Sequence, residues 1–188
     1  MRRGFKARAE DVAVEQRRLL GLRPEDPLPW RLLADYLSAL VIAPRDIPGM
    51  TDEISHQLIS VDSNSWSATT IVHNGQIVII HNPAHSANRQ ESNVMHELAH
   101  ILCRHSPSHI VQSISLPFAL RTYDPEQEEE ASWLGGCLQL PRIALLWAAR
   151  QGMSDAMIVR HFGASLKQVQ FRRRKTGVDR QISRWVKS

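Results

Sequence analysis

Apolar residues recur with a helical period in the first part of the chain. Residues 7–20 and 30–40 carry the 3-4 spacing of amphipathic helices. The short apolar run 41–43 predicts a strand, and residues 51–59 predict a short helix that Thr51 caps. The first third of the chain is therefore expected to be mainly helical.

The middle of the chain changes to a strand pattern. Residues 66–73 and 76–81 are rich in β-forming side chains, and Asn74-Gly75 between them is the strongest short-range signal for a hairpin. Residues 86–104 then return to helical spacing, with an apolar stripe of Val94, Met95, Leu98, Ala99 and Leu102. We expect an α+β fold in which a small antiparallel hairpin sheet packs on this helix, with mainly helical N- and C-terminal parts.

The remainder of the chain predicts further helices. They run from Asp124 to Pro141 and over 142–150, 154–162 and 165–174, with Gly163 as a turn. The last two have the length of a helix–turn–helix unit. We therefore predict a main domain over residues 1–150 and a basic extension over residues 151–188.

Composition indicates the cellular compartment of the protein. The 188 residues contain no apolar stretch long enough to span a membrane, and no apolar segment follows the basic start. Cys103 and Cys137 are the only cysteines, which favours a reducing cytoplasm over a disulfide framework. Cys103 follows His100 by three positions and could face a metal, but a small buried hydrophobe is the commoner role. We expect a cytoplasmic protein with no membrane partner.

The candidate chemistry lies in His96-Glu97-Leu98-Ala99-His100. Residues four apart share one face of a helix, so His96 and His100 can bind a single ion. Glu97 lies beside them and can lean toward a water on that ion. Two neutral imidazoles, a base and an open coordination position are what a zinc hydrolase requires. A surface helix with this spacing by chance is the alternative, and the apolar stripe argues against it.

A third protein ligand is expected from the acidic run 124–130. Glu128 lies three residues before Ala131 and shares the inward face, whereas Glu130 lies four before Leu134 and is its rival. A carboxylate ligand would complete a His₂Glu site for Zn²⁺. Either glutamate satisfies the pattern.

Other polar residues are candidates for weaker reasons. A peptidase needs a donor for the developing oxyanion, and the loop-rich connector 105–123 offers several. These are Tyr123, Arg121, His105 and His109, each of which is more commonly a plain loop residue. The remaining histidines of the middle region, His73, His81 and His85, fit loop or cap positions better than ligand positions.

Two blocks together resemble a known family. Asn93-Val94-Met95-His96-Glu97-Leu98-Ala99-His100, followed by the block from Glu128 to Pro141, resembles the ImmA/IrrE metallopeptidases. The resemblance implies a zincin-like fold, zinc on His96, His100 and Glu128, and Glu97 as the base. It also implies a protein substrate, namely a DNA-binding repressor that is cut in a stress or mobile-element response.

The chain departs from the family pattern at several positions of the second block. Leu134 replaces a phenylalanine, Gly135-Gly136 replace alanines, and Gln139 replaces a leucine. Ser132 stands where Asn or Asp is frequent, at a position that can orient a ligand histidine in related enzymes. The residues that match the ligands are intact.

Positive charge is concentrated in the C-terminal part. Between Arg160 and Ser188 there are nine Lys or Arg and one acid, Asp179, and the whole chain has a net charge of +4. Such a cluster favours phosphate backbones, so DNA is a possible partner. A solvated basic face and a surface for an acidic protein are the alternatives. A second hypothesis follows, a non-catalytic or weakly catalytic regulatory module that binds DNA or a repressor through this part.

Overall fold

The structure, a computed structural model, describes residues 1–105, 119–120 and 124–185. The described residues form a four-stranded sheet and helices that precede, follow and cover it. The strands are β1 (Leu40–Ile42), β2 (Ala68–His73), β3 (Gln76–His81) and β4 (Ala119–Leu120). The helices are α1 (Phe5–Leu19), α2 (Trp30–Tyr36), α3 (Asp52–His56), α4 (Ala87–Cys103), α5 (Pro125–Gln139), α6 (Arg142–Arg150), α7 (Asp155–Phe162), α8 (Leu166–Thr176) and α9 (Val178–Trp185).

The predicted elements are present with shifted ends. Helix α2 ends at Tyr36, earlier than the apolar pattern indicated, because Ser38 adopts a left-handed conformation with φ of 54° and the chain turns into β1. Residues 51–59 form the short α3 followed by a π-helical turn over Gln57–Val61. Helix α9 was not predicted from the pattern.

The α+β fold with a small sheet is confirmed, but the sheet is mixed, because β1 adds a parallel strand to the predicted antiparallel hairpin. The strand order is β1-β3-β2-β4, with β1 parallel to β3 and β2 antiparallel to both of its neighbours. The hairpin itself is confirmed, since His73 pairs with Gln76 across Asn74-Gly75 and both turn residues have positive φ. Strand β3 is therefore interior, which explains its apolar residues on both faces.

Helices α4 and α5 pack directly against each other and position the candidate site. A Cβ atom added to Gly135 of α5 would lie 3.2 Å from the Cα atom of His96. The absence of a side chain at this position therefore lets α5 approach the backbone of α4. Asp124 caps α5 by accepting hydrogen bonds from the amides of Glu126 and Gln127. The acidic first turn is thereby fixed next to the helix that carries the two histidines.

Helix α1 is tied to the end of α5 by a buried arginine. The guanidinium of Arg17 donates from Nη2 to the carbonyl oxygen of Leu138 at 2.7 Å and from Nε to that of Asp26 at 2.8 Å. Burial lowers the pKa of Arg17 to about 10. The arginine satisfies a carbonyl in the last turn of α5 that the helix itself leaves without a donor.

Two apolar clusters lie along the described chain. The first joins α1, α2, the sheet, α4 and α5 around residues such as Leu33, Ile79 and Leu98. The second begins at Leu140 and joins helices α6 to α9. The division at residue 150 stays a prediction, and α6 packs within the second cluster. In the described part of the chain, no helix is long and apolar enough to cross a membrane.

Candidate metal centre

His96, His100 and Glu128 meet at one point between α4 and α5. The Nε2 atoms of the two histidines lie 3.1 Å apart. The Glu128 carboxylate reaches both of them, with Oε2 at 3.0 Å from His96 Nε2 and Oε1 at 3.3 Å from His100 Nε2. We call these three residues the metal triad, because their donor atoms could hold one ion.

The hydrogen bonds on the far side of the imidazoles orient both rings. His100 Nδ1 lies 2.8 Å from His105 Nδ1, and His96 Nδ1 lies 3.4 Å from the Ser132 hydroxyl. With a proton on each Nδ1, both Nε2 lone pairs point at each other and at a carboxylate. In that tautomer the converging acceptors suit a metal ion, which can bind all of their lone pairs.

A chain of three residues extends behind His100. His105 Nε2 lies 3.4 Å from Glu130 Oε2, and Glu130 receives Arg2 Nη2 at 2.6 Å and Arg2 Nε at 2.9 Å. The side chains of His105 and Glu130 are only 5% and 4% exposed. The hydrogen bonds with Arg2 lower the pKa of Glu130 to about 2, so Glu130 is a carboxylate at neutral pH. We call His105, Glu130 and Arg2 the His100 relay.

The relay separates the two glutamates that the sequence left as rivals. Glu128 contacts both histidines of the motif, whereas Glu130 points to His105 and Arg2. The difference follows from helical geometry, because residues two apart on α5 point to different faces.

Glu97 is positioned by the sheet. The Thr70 hydroxyl of β2 donates to Glu97 Oε2 at 2.6 Å. Glu97 lies on the same cleft as His96 and Glu128 but is not one of the residues whose donor atoms converge. The hydrogen bond holds Oε2 of Glu97 in place and leaves Oε1 able to accept a hydrogen bond from another group.

Several predicted residues lie elsewhere or outside the described chain. Tyr123, Arg121 and His109 lie outside the described residues. Ser132 does reach His96, at a distance that is long for a hydrogen bond. His85 ties the loop before α4 by contacting Asn93 and the Ser63 carbonyl, and His73 and His81 end strands β2 and β3.

The two thiols do not join the triad. Cys137 is buried and Cys103 is half-buried. Burial raises the pKa of Cys103 to about 11 and that of Cys137 to about 12. The group of converging donor atoms among the described residues includes neither sulfur atom. Cys103 packs against the first apolar cluster, in line with the role of a small hydrophobe.

The triad opens onto a cleft of about 820 Å³. Four described parts of the chain form its walls: Lys6 of α1, Ser67 and Ala68 before and on β2, the facing sides of α4 and α5, and the side of α8 that carries Lys167, Phe171, Arg174 and Lys175. Trp133 and Phe171 meet edge to face at 6.0 Å between ring centres. The basic C-terminal helix α8 therefore borders the candidate site.

Thr70 and Arg2 were not identified from the sequence. His105 and Glu130 were named, but not as members of the His100 relay. The threonine alternates with other strand residues without distinction, and Arg2 reaches Glu130 across 128 positions of sequence. The only local signal was His105 itself, five positions after His100.

Comparisons with known proteins agree with the motifs. The family model Peptidase_M78, described as the IrrE N-terminal-like domain, matches residues 57–174. No curated protein matches the chain significantly. A solved structure of a Mycobacterium tuberculosis transcriptional regulator matches with 15% identity and a TM-score of 0.49, covering 89% of this chain. The match spans 46% of the length of that regulator. Because the family model covers more than half of the residues, the chain belongs to the IrrE N-terminal-like family of peptidases, the ImmA/IrrE family that its two motifs indicate.

Proposed function

We propose that the protein is a zinc-dependent endopeptidase that hydrolyses a peptide bond in a specific protein substrate. The observation that carries the proposal is the convergence of His96, His100 and Glu128 in a cleft that Glu97 also lines. Membership in a peptidase family supports the same reaction class.

The donor set fits a zinc ion. Two imidazole nitrogens and a carboxylate are the ligands of many catalytic zinc sites. Neighbouring ligands on a tetrahedral zinc with bonds of about 2.1 Å lie about 3.4 Å apart. Here the two Nε2 atoms lie 3.1 Å apart, and the Glu128 carboxylate approaches His96 through Oε2 at 3.0 Å and His100 through Oε1 at 3.3 Å. These separations are close to that spacing, which supports binding of one ion by the three residues. A zinc ion bound there would polarise the scissile carbonyl and acidify a water molecule.

Glu97 is the proposed general base. Its carboxylate would take the proton of the attacking water and deliver it to the amine that leaves. Thr70 supports this role by holding one carboxylate oxygen, which restricts the carboxylate to one orientation. The relay behind His100 supports the site by fixing the tautomer of that ring.

Strand β2 is the proposed edge for substrate binding. Strand β3 is excluded because it pairs with β1 and β2 on its two sides. Among the described residues, β4 pairs with only Ile71 and Val72 of β2. Residues 68–70 have no partner on that side among the described residues, and Ala68 lines the cleft, so an extended peptide could pair with this backbone.

The wider proposal follows from family membership and from the predictions above. It comprises a zincin-like fold, a main domain over residues 1–150 with a basic extension over 151–188, and a DNA-binding transcriptional repressor as the substrate. A cytoplasmic location fits a substrate of this kind.

The test compares wild-type protein with Glu97→Gln. We expect both to bind about one zinc ion per chain. Only the wild type should cleave a candidate repressor, because the amide cannot accept the proton. The loss should be at least about a hundredfold.

A non-catalytic or weakly catalytic regulatory module is the second candidate function. It is favoured by the exposed cations of α8 next to the cleft. In that case Glu97→Gln would leave binding of the partner repressor or of DNA unchanged, and the wild type would cut nothing. An unchanged cleavage rate in the variant would contradict the role of Glu97.

A further inference from the structure

The positive charge of helix α8 borders the metal cleft. Lys167, Arg174 and Lys175 of α8 line it together with Lys6 of α1, and all four are exposed. We call these four residues the basic wall. Among the described residues that line the cleft, the one carboxylate besides Glu97 and Glu128 is Glu129, which is paired with the N-terminal amine at 3.2 Å. Away from the triad and its base, the cleft is therefore strongly positive.

The cations of the basic wall have no carboxylate partner among the described residues. Two other arginines of the same helix are paired: Arg172 with Glu10, and Arg173 with Asp155 and Asp179. Helix α8 thus uses some of its charges to fix its position and leaves others facing the cleft.

Helix α8 is held rigidly where it borders the cleft. Arg172 is fully buried and donates to the Leu140 carbonyl at 2.9 Å in addition to its pair with Glu10. Gly136 leaves room for Gln168, which would collide with a Cβ atom at that position. A charged surface that is fixed before binding loses little conformational entropy when a ligand binds.

An aromatic pair lies beside these charges. Lys6 Nζ lies 4.4 Å from the centre of the Trp133 ring, and Lys175 Nζ lies 5.8 Å from that of Phe171. The pair offers apolar surface next to cations. This combination suits a peptide with acidic residues around an apolar one.

We propose that the basic wall binds an acidic segment of the protein substrate beside the bond to be cut. This proposal rests on the proposed peptidase function and names the class of sequence that the cleft selects. Duplex DNA fits the observations less well. DNA binding commonly uses about 6–10 phosphate contacts, whereas four cations of this cleft surround a site that itself carries carboxylates.

Binding of labelled peptides tests the proposal without requiring cleavage. The probes are a fluorescein-labelled twelve-residue peptide with four glutamates around a central Ala-Leu, and the same peptide with glutamines. Fluorescence anisotropy with zinc-loaded Glu97→Gln protein measures both. We expect the acidic peptide to bind about tenfold more tightly, since each exposed ion pair contributes a factor of about 1.5 to 5.

Two charge-reversal variants separate the basic wall from general charge. Lys167→Glu with Lys175→Glu should abolish the preference for the acidic peptide. Arg160→Glu with Arg180→Glu changes the net charge equally at exposed positions that do not line the cleft, and it should keep the preference. Circular dichroism checks that both variants are folded.

Three outcomes would overturn the proposal. The first is equal affinity for the two peptides. The second is an equal loss of the preference for the acidic peptide in both double variants. The third is duplex DNA that binds more tightly than the acidic peptide, with an affinity that depends on Lys167 and Lys175. A different result separates the two proposals: selective binding of the acidic peptide by a wild-type protein that cuts no substrate would contradict only the peptidase function.

Discussion

At the scale of single residues, the most informative contact is the one between His100 and His105. A metal-binding histidine usually donates its other ring N–H to a partner that fixes the tautomer and the ring orientation. Here the partner is a second histidine, whose own Nε2 faces the carboxylate of Glu130. If His105 is neutral, both contacts are satisfied when His100 Nδ1 donates to His105 Nδ1 and His105 Nε2 donates to Glu130. The relay therefore favours the tautomer that binds a metal through Nε2.

Removing the relay should weaken zinc binding without removing a ligand. We expect His105→Phe and Glu130→Gln each to lower zinc affinity about 10- to 100-fold, as for other partners of ligand histidines. Competition with a chromophoric chelator measures the affinity. His73→Phe is the matched control, because His73 is an exposed histidine at the end of β2. Unchanged zinc affinity in both relay variants would show that the relay only packs the structure.

At the scale of elements, the contact between α4 and α5 depends on Gly135. A Cβ atom there would lie 3.2 Å from both His96 Cα and the Met95 carbonyl oxygen, which are backbone atoms of α4. The next glycine, Gly136, faces side chains instead of backbone: a Cβ atom there would collide with the end of the flexible Gln168 side chain and lie 3.3 Å from Cδ of Arg172. A side chain at Gly135 would have to displace the backbone of α4, whereas a side chain at Gly136 would have to displace only other side chains.

Alanine at the two glycines should reduce stability to different extents. Alanine favours a helix over glycine by about 1 kcal/mol. At Gly136 we expect the smaller change, because Gln168 can rotate away and the Arg172 side chain must shift by only a few tenths of an ångström. At Gly135 we expect a net loss of about 1–2 kcal/mol in the free energy of unfolding, because overpacking forces α4 and α5 apart. Urea unfolding measures both, and equal stability of the two variants would contradict the close contact.

Local signals in the sequence predicted most elements but not their packing. Asn74-Gly75 and the cap at Thr51 act on their own neighbours, so the sequence alone identifies them. The relay from Arg2 to Glu130 and the position of α8 depend on contacts between distant segments. No local pattern encodes such contacts. The parallel pairing of β1 was missed for the same reason.

At the scale of the whole molecule, one cleft receives residues from segments that lie far apart in the sequence. The first turn of α1 contributes Lys6, the sheet contributes Ala68, and α4, α5 and α8 contribute the remainder. The sequence suggested a peptidase domain and a separate basic extension. In the structure, helix α8 of the basic extension lines the cleft that contains the metal triad. The metal triad and the basic residues could therefore contact the same substrate.

The central claim is that His96, His100 and Glu128 bind zinc together, and metal content tests it most directly. We would measure zinc by mass spectrometry on purified wild type beside His100→Ala, Glu128→Ala and Glu130→Ala. About one zinc per chain is expected in the wild type and essentially none in the first two variants. Glu130→Ala should retain zinc at saturating concentrations. Zinc retained by Glu128→Ala, or no zinc in the wild type even after zinc is supplied, would contradict the account.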